Sequence, residues 1–142
     1  MTIQVVIDTN VVIAGLRSRK GSSFQLLRLI GRSNFEINLS VPLILEYQDA
    51  LLRQLSELGL TETDVTNLLD YWCNIGNRHK IHYLWRPTLR DPKDEMVLEL
   101  AVKAQCNFII TFNKRDFIGI EKFGVAALTP GEFLNRPGVY HS

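Results

Sequence analysis

Cysteine is scarce in this sequence, with Cys73 and Cys106 as the only two among 142 residues. Two cysteines are too few for the disulfide framework that holds many small secreted domains together. The chain also opens without a basic stretch ahead of an apolar core, so we expect no secretory signal peptide. These absences favour a protein of the reducing cytoplasm.

Long hydrophobic runs are missing as well. No apolar stretch approaches the roughly 20 residues that a membrane-spanning helix needs, so we expect no membrane partner. The net charge is only +1, which neither favours nor excludes a nucleic acid, because a small basic patch fits inside a neutral total. The two common glycine-rich nucleotide signatures are also absent, since neither G-x-G-x-x-G after a strand nor G-x-x-x-x-G-K-[ST] occurs.

What is present is the balance of an ordinary globular protein, with 46% hydrophobic and 22% charged residues. At this length a single core buries enough apolar surface to fold without disulfides or metals as staples. No repeat, low-complexity segment or Pro/Gly-rich linker divides the chain, so we expect one domain over residues 1–142.

Short β-branched runs alternate with amphipathic segments along the chain. Strands are predicted at 3–7, 35–39 and 107–112, with weaker ones at 80–85 and, at a sheet edge, 124–128. Start signals predict helices at Ser22 or Ser23, at Ser40 with Pro42 (through about residue 57), at Thr61 with Asp64, over 91–105, and at Thr129 with Pro130 and Glu132. The alternation predicts an α/β/α sandwich with a central, mainly parallel sheet of about five strands.

In such a fold, three acids of this sequence lie near the carboxyl ends of the strands, at one edge of the sheet. Asp8 ends the first strand, Glu46 lies one turn into the helix after the second strand, and Asp116 follows the strand 107–112. Ligands of parallel α/β sheets bind at the carboxyl ends of the strands. These acids are therefore candidate site residues.

Asp94 points to the same edge for a different reason. It lies in the first turn of a predicted helix, and its neighbours at helical spacing are the apolar residues Val97, Leu98 and Ala101. That places Asp94 on the core-facing stripe of the helix. Asp91 and Glu95, to either side, are better placed for capping and for contact with solvent.

Each of these acids alone has an ordinary explanation. Asp8, Asp94 and Asp116 are suited to caps or turns, and Glu46 to a solvated helix surface. Together they are like charges that repel unless a cation neutralises them. Oxygen ligands without nearby Cys or His favour Mg²⁺ or Mn²⁺, and the histidines lie in other segments: His79, His82 and His141. Such an ion suits phosphoryl chemistry.

At these positions the sequence resembles the PIN domain family of metal-dependent ribonucleases, and in particular the VapC-like toxins of type II toxin–antitoxin pairs. The matching stretches are "VVIDTNVVIAGL", "LSVPLILEYQDAL", "RDPKDEMVLELAV" and "FIITFNKRDF", and the closing "LTPGEFL" is also similar. The resemblance implies hydrolysis of RNA by a metal-activated water, with Asp8, Glu46, Asp94 and Asp116 as catalytic acids. Among these it implies Asp8, Asp94 and Asp116 as ligands of Mg²⁺ or Mn²⁺.

One departure from the family pattern concerns a possible second metal position. Many members carry an acid where this chain has Asn113, whose amide oxygen still binds a metal or its water but carries no charge. The resemblance also implies supporting roles for Thr9, Asn10 and Thr111, which orient ligands.

Phosphate contacts and partners complete the expectations. Basic residues follow the first strand's loop and flank the fourth acid, and these are candidate RNA contacts: Arg17, Arg19, Lys20, Lys114 and Arg115. A solvated face is the more frequent meaning of such charges. The resemblance implies an RNA substrate, a cognate antitoxin protein and a homodimer, for which the Leu-rich helix of residues 43–58 is a candidate surface.

Other classes of protein were weighed against the nuclease. A haloacid-dehalogenase-type phosphatase needs a second Asp where Asn10 stands, and a response-regulator receiver domain needs adjacent acids after the first strand. The remaining alternative is a catalytically weak or inactive PIN module that binds a protein partner. The departure at Asn113 favours that alternative, and the acids at positions 8, 46 and 94 favour the enzyme.

Overall fold

The computed structural model describes residues 2–81 and 89–139. Within them the elements follow the order β1 (Ile3–Ile7), α1 (Thr9–Arg17), α2 (Ser22–Leu29), β2 (Phe35–Leu39), α3 (Val41–Leu52), α4 (Leu55–Leu58), α5 (Glu62–Ile75), β3 (Asn77–Arg78), α6 (Pro92–Lys103), β4 (Phe108–Ile110), β5 (Ala126–Leu128) and α7 (Pro130–Leu134). Two 3₁₀ turns, Lys114–Phe117 and Ile120–Phe123, lie between β4 and β5.

The strands form one parallel sheet in the order β3-β2-β1-β4-β5. Helices flank the sheet, and β1 at its centre is covered on both faces, since Val5 and Val6 are fully buried. Continuous apolar strands of this kind are typical of parallel sheets, which need cover on both sides. The predicted α/β/α sandwich with a parallel sheet of five strands is confirmed for the described residues.

Most predicted strands are confirmed, with shifts at their ends. The first two have the predicted bounds, the strand predicted at 107–112 is shortened to β4, and the predicted edge strand is β5. The strand predicted at 80–85 is wrong at residues 80 and 81, which belong to no strand. The rest of that prediction lies outside the described residues. The strand on this edge is instead the two-residue β3, which pairs with the end of β2.

One helix was not predicted. The sequence predicts a loop after β1, but α1 begins at Thr9 directly behind the N-cap Asp8 and includes Arg17 in its last turn. The β-branched residues of this segment have low helix propensity, and packing overrides it, because Val11 and Val12 are fully buried. Tertiary burial therefore decides this helix.

Capping side chains fix most of the other helix starts. Ser40 accepts a hydrogen bond from the backbone N–H of Leu43 at 3.3 Å, and Asp91 accepts one from that of Lys93 at 2.8 Å. The predicted capping box at Thr61 is present, and the helix start predicted at Thr129 is also closed by a capping box, with Glu132. The serine caps proposed for α2 are wrong, since its N-cap is Gly21, which has no side chain to cap with. The helix predicted through residue 57 is divided into α3 and α4.

No helix within residues 2–81 and 89–139 is both long enough and apolar enough to cross a bilayer.

Tyr47 links α3 to the carboxyl end of β1. Its side chain is almost fully buried, its hydroxyl donates a hydrogen bond to the backbone carbonyl of Ile7, and its ring packs edge-on against Trp72 at 5.9 Å. The bond holds the helix that carries Glu46 against the strand end that precedes Asp8. The core therefore sets how these two acids face each other.

We expect Tyr47→Phe to lower the free energy of unfolding by about 1–3 kcal/mol, because it removes the donor to a buried carbonyl. Urea denaturation followed by circular dichroism measures the loss. Tyr71→Phe is the matched control, since Tyr71 is 45% exposed and its replacement should change little. Equal effects of the two variants would contradict this account of Tyr47.

Candidate functional site

Asp8 follows the buried carboxyl end of β1 and is held in one orientation. Its Oδ2 accepts a hydrogen bond from the Thr111 hydroxyl at 2.8 Å, and its Oδ1 accepts one from the backbone N–H of Thr9 at 2.9 Å. The Asn10 amide lies 3.4 Å from both Asp8 Oδ2 and the Thr111 hydroxyl. Thr111 directly follows β4. Because β1 and β4 are parallel neighbours, Thr111 lies at the same edge of the sheet as Asp8.

Burial makes the charge of Asp8 costly. Its pKa is raised, first by desolvation and then by the nearby charges of Asp116 and Glu46, while the bonds from Thr111 and Thr9 partly oppose the rise. The acids that raise it come from α3 and from the 3₁₀ turn after β4. The folded chain therefore brings three of the four predicted acids into electrostatic contact at one place.

A cleft of about 170 Å³ contains all four acids that the sequence singles out. It also contains Thr9, Asn10 and Asn113, while Thr111 is buried behind Asp8. The described residues that line it are Asp8, Thr9, Asn10, Glu46, Asp91, Lys93, Asp94, Met96, Val97, Asn113 and Asp116. Asp91 caps α6 as expected and also faces this cleft.

Asp94 carries the largest shift among the acids of the cleft. Partial burial, followed by the charges of Asp8, Asp91, Asp116 and Glu95, raises its pKa from 3.8 to about 6. Among the described residues, the carboxylates of Asp94 and Asp116 make no hydrogen bond or ion pair. These oxygens are therefore available to a ligand.

Glu46 has a partner that the sequence analysis missed. Its side chain is only 16% exposed, and its Oε1 lies 3.5 Å from Nζ of Lys93 in the first turn of α6. The sequence "DPKDE" indicates the place of this lysine, because Lys93 lies between Asp91 and Asp94 at the start of a helix and is therefore near the same edge of the sheet as Asp94. What the sequence does not show is that α3 brings Glu46 opposite to it.

The donor set fits a hard divalent cation in its chemistry. Asp8, Asp94 and Asp116 offer carboxylate oxygens, and Asn113 adds an amide oxygen at the same cleft. In the part of the chain that the structure describes, however, no three His, Cys, Asp or Glu side chains are already grouped closely enough to hold a metal ion. The ligands are thus of the right kind, while the coordination shell is not preassembled.

The predicted RNA-contact residues lie outside the described lining of this cleft. Arg17 donates to Gln54 Oε1 at 2.7 Å and lies 3.9 Å from Glu57, and Lys114 Nζ lies 3.0 Å from both carboxylate oxygens of Glu132. Arg19 and Lys20 are exposed beyond α1. Lys114 and Arg115 line a separate cleft of about 390 Å³ beside β5. Their contact with RNA stays a prediction.

Comparison with known proteins places these features in context. The sequence model of the PIN domain matches residues 4–115. Fourteen chains of solved structures match, among them one from the crystal structure of VapBC2 from Rickettsia felis bound to a DNA fragment from their promoter. That chain has a TM-score of 0.58 and 13% identity, over 88% of this chain and 98% of its own, which shows a shared fold. No curated protein sequence matches.

The raised pKa of Asp94 predicts how stability depends on pH. The folded protein holds the proton of Asp94 more tightly than the unfolded chain does. The resulting stabilisation is fully present below the unfolded pKa of 3.8, and it is lost as the pH rises through the folded pKa of about 6. In EDTA we therefore expect Asp94→Asn to melt above the wild type at pH 8, with the difference vanishing near pH 4.

Thermal melting from pH 4 to pH 8 checks this dependence. Asp70→Asn removes an exposed helical Asp on α5, and its difference from the wild type should vary little over the same range. A difference for Asp94→Asn that stays constant with pH would contradict the assignment of the pKa shift to that residue.

Proposed function

Because the chain belongs to the PIN domain family, we propose that it is a metal-dependent endoribonuclease. In this proposal a water attacks an RNA phosphodiester bond in the cleft that contains Asp8, Glu46, Asp94 and Asp116. The observation that carries the proposal is the convergence of these acids, from four separate segments, on one cleft at the carboxyl edge of the sheet. The whole of residues 1–142 is proposed to form a single PIN domain.

The proposed metal ligands are Asp8, Asp94 and Asp116. The chemistry that Mg²⁺ or Mn²⁺ supplies when bound is a lowered pKa for a coordinated water and neutralisation of charge on the phosphate. Asp8 is suited to this role because its hydrogen bonds fix its orientation before any ligand arrives. Asp94 and Asp116 are suited to it because their oxygens have no other partner among the described residues.

Glu46 is proposed as the acid that accepts the proton of the attacking water. It faces the same cleft, and the hydrogen bond of Tyr47 to Ile7 holds its helix in place. A carboxylate in this position serves as a general base once its pairing with Lys93 is released. Thr9, Asn10 and Thr111 act as positioning residues, since the backbone N–H of Thr9 and the side chains of Asn10 and Thr111 hold the carboxylate of Asp8.

A toxin role is proposed from the resemblance to toxin–antitoxin PIN proteins and from the VapBC2 structure as a structural neighbour. In this role the chain acts in the cytoplasm, and an antitoxin protein covers the acidic cleft. A homodimer through the region of residues 43–58 is supported by apolar side chains that α3 exposes: Val41, Leu45 and Leu52.

We expect the purified protein to cleave RNA with Mn²⁺ or Mg²⁺ and to lose this activity in EDTA. Asp8→Asn and Asp94→Asn should each lower the cleavage rate by about two orders of magnitude or more, because each removes a proposed ligand of the metal ion that lowers the pKa of the attacking water. The measurement is cleavage of a mixed set of structured and single-stranded RNAs, with folding checked by circular dichroism.

Asp70→Asn serves as the control and should cleave like the wild type. Cleavage that persists in EDTA, or that survives in both cleft variants with their fold intact, would contradict the proposed nuclease site.

The second candidate function is a catalytically weak PIN module that binds a protein partner. The observation that favours it is the neutral side chain of Asn113 at the cleft, where many family members carry an acid. A cleft with one carboxylate fewer binds a divalent cation less tightly, because each anionic ligand adds to its attraction.

Metal-dependent melting separates the two functions. For the enzyme we expect Mn²⁺ to raise the melting temperature of the wild type, since an excess of about 100 Kd adds about 2.7 kcal/mol to the stability. Asn113→Asp should increase that rise, whereas Asn67→Asp, an exposed position on α5, should leave it unchanged. A wild type that Mn²⁺ does not stabilise would favour the protein-binding module.

A further inference from the structure

The cleft presents an RNA strand with an electrostatic problem. Its described lining carries five carboxylates, from Asp8, Glu46, Asp91, Asp94 and Asp116. A phosphodiester is also an anion, so its approach is opposed by these charges until cations balance them. A bound divalent ion offsets only part of this charge, and a protein cation near the phosphate would therefore strengthen binding.

The basic residues that the sequence pointed to do not supply that cation within the described lining. Arg17 is engaged by Gln54 and Glu57, and Lys114 is engaged by both oxygens of Glu132. Among the described residues that line the cleft, the one basic side chain is that of Lys93.

The position of Lys93 is not explained by the stability of its helix. It follows Pro92 in the first turn of α6, where the positive end of the helix dipole disfavours a cation. Its contact with Glu46 is a single ion pair at 3.5 Å, and the lysine side chain is 62% exposed. Glu46 is the less exposed partner, at 16%, so the ammonium group of Lys93 is the side of the pair that is open to solvent and to a ligand of the cleft. The helix dipole disfavours a lysine here and the carboxylates of the cleft favour one, so the position of Lys93 is explained by the cleft.

We propose that Lys93 binds a non-bridging phosphate oxygen of the RNA at the mouth of the cleft. The inference rests on the proposed nuclease function and adds a residue that contacts the substrate. The lysine stem is long and flexible, so the ammonium group exchanges Glu46 for the phosphate without movement of α6. This exchange also frees Glu46 to accept a proton.

Binding of a labelled single-stranded RNA, measured by fluorescence anisotropy in Mg²⁺ on an Asp8→Asn background, tests the proposal without cleavage. We expect Lys93→Met to weaken binding about tenfold and to reduce the slope of log affinity against log salt by about 0.7, the value for one lost phosphate contact on a single strand. Lys93→Arg should restore most of both.

Lys103→Met is the matched control, because Lys103 is an exposed lysine at the other end of the same helix. It should leave the affinity and the salt slope unchanged. In the cleaving protein, Lys93→Met should raise KM more than it lowers kcat. A merely structural ion pair would instead lower the melting temperature and leave the salt slope as it was.

The results separate this proposal from the proposed function. If the wild type cleaves RNA with metal but Lys93→Met keeps the salt slope of Lys103→Met, the role of Lys93 is overturned and the nuclease stands. If the wild type does not cleave, the nuclease fails by itself.

Discussion

A carboxylate at the buried carboxyl end of the central strand is the constraint on which this structure depends. Burial raises the pKa of Asp8, so its ionised form has to be held by hydrogen bonds. Thr111 supplies one of these bonds only because β1 and β4 are parallel neighbours whose ends coincide. Asp8 is also the N-cap of α1, so the strand, the helix and the site share one side chain.

The remaining acids add to this cost. Burial of Asp94, together with the charges of the acids near it, raises its pKa to about 6. Such crowding is unfavourable for stability in the absence of a cation, and it is the arrangement that a cation-binding site requires. The Lys93–Glu46 pair offsets part of the charge from within the chain. Stability and the proposed function therefore act in opposite directions at this edge of the sheet.

Much of the fold was predictable because its signals are local. The strand β1 is a short run rich in β-branched residues, β2 alternates apolar and polar residues, and the capping box at Thr61 depends on side chains three residues apart. The helix α1 was missed because its β-branched residues favour extended structure, while its formation depends on distant packing. At Gly15, for example, an added Cβ would lie 2.5 Å from Leu27 Cδ1 on α2, so the two helices approach closely.

The sequence by itself determined which residue types are available at the site and which segments carry them. Asp8 at a strand end and Asp94 on an apolar helix face were identifiable because both depend on periodicity within one element. Only the tertiary structure decided which charges meet across elements. Strand order set Thr111 beside Asp8, and the packing of α3 near α6 set Glu46 opposite Lys93. These contacts join residues far apart along the chain, and local propensity carries no information about such pairs.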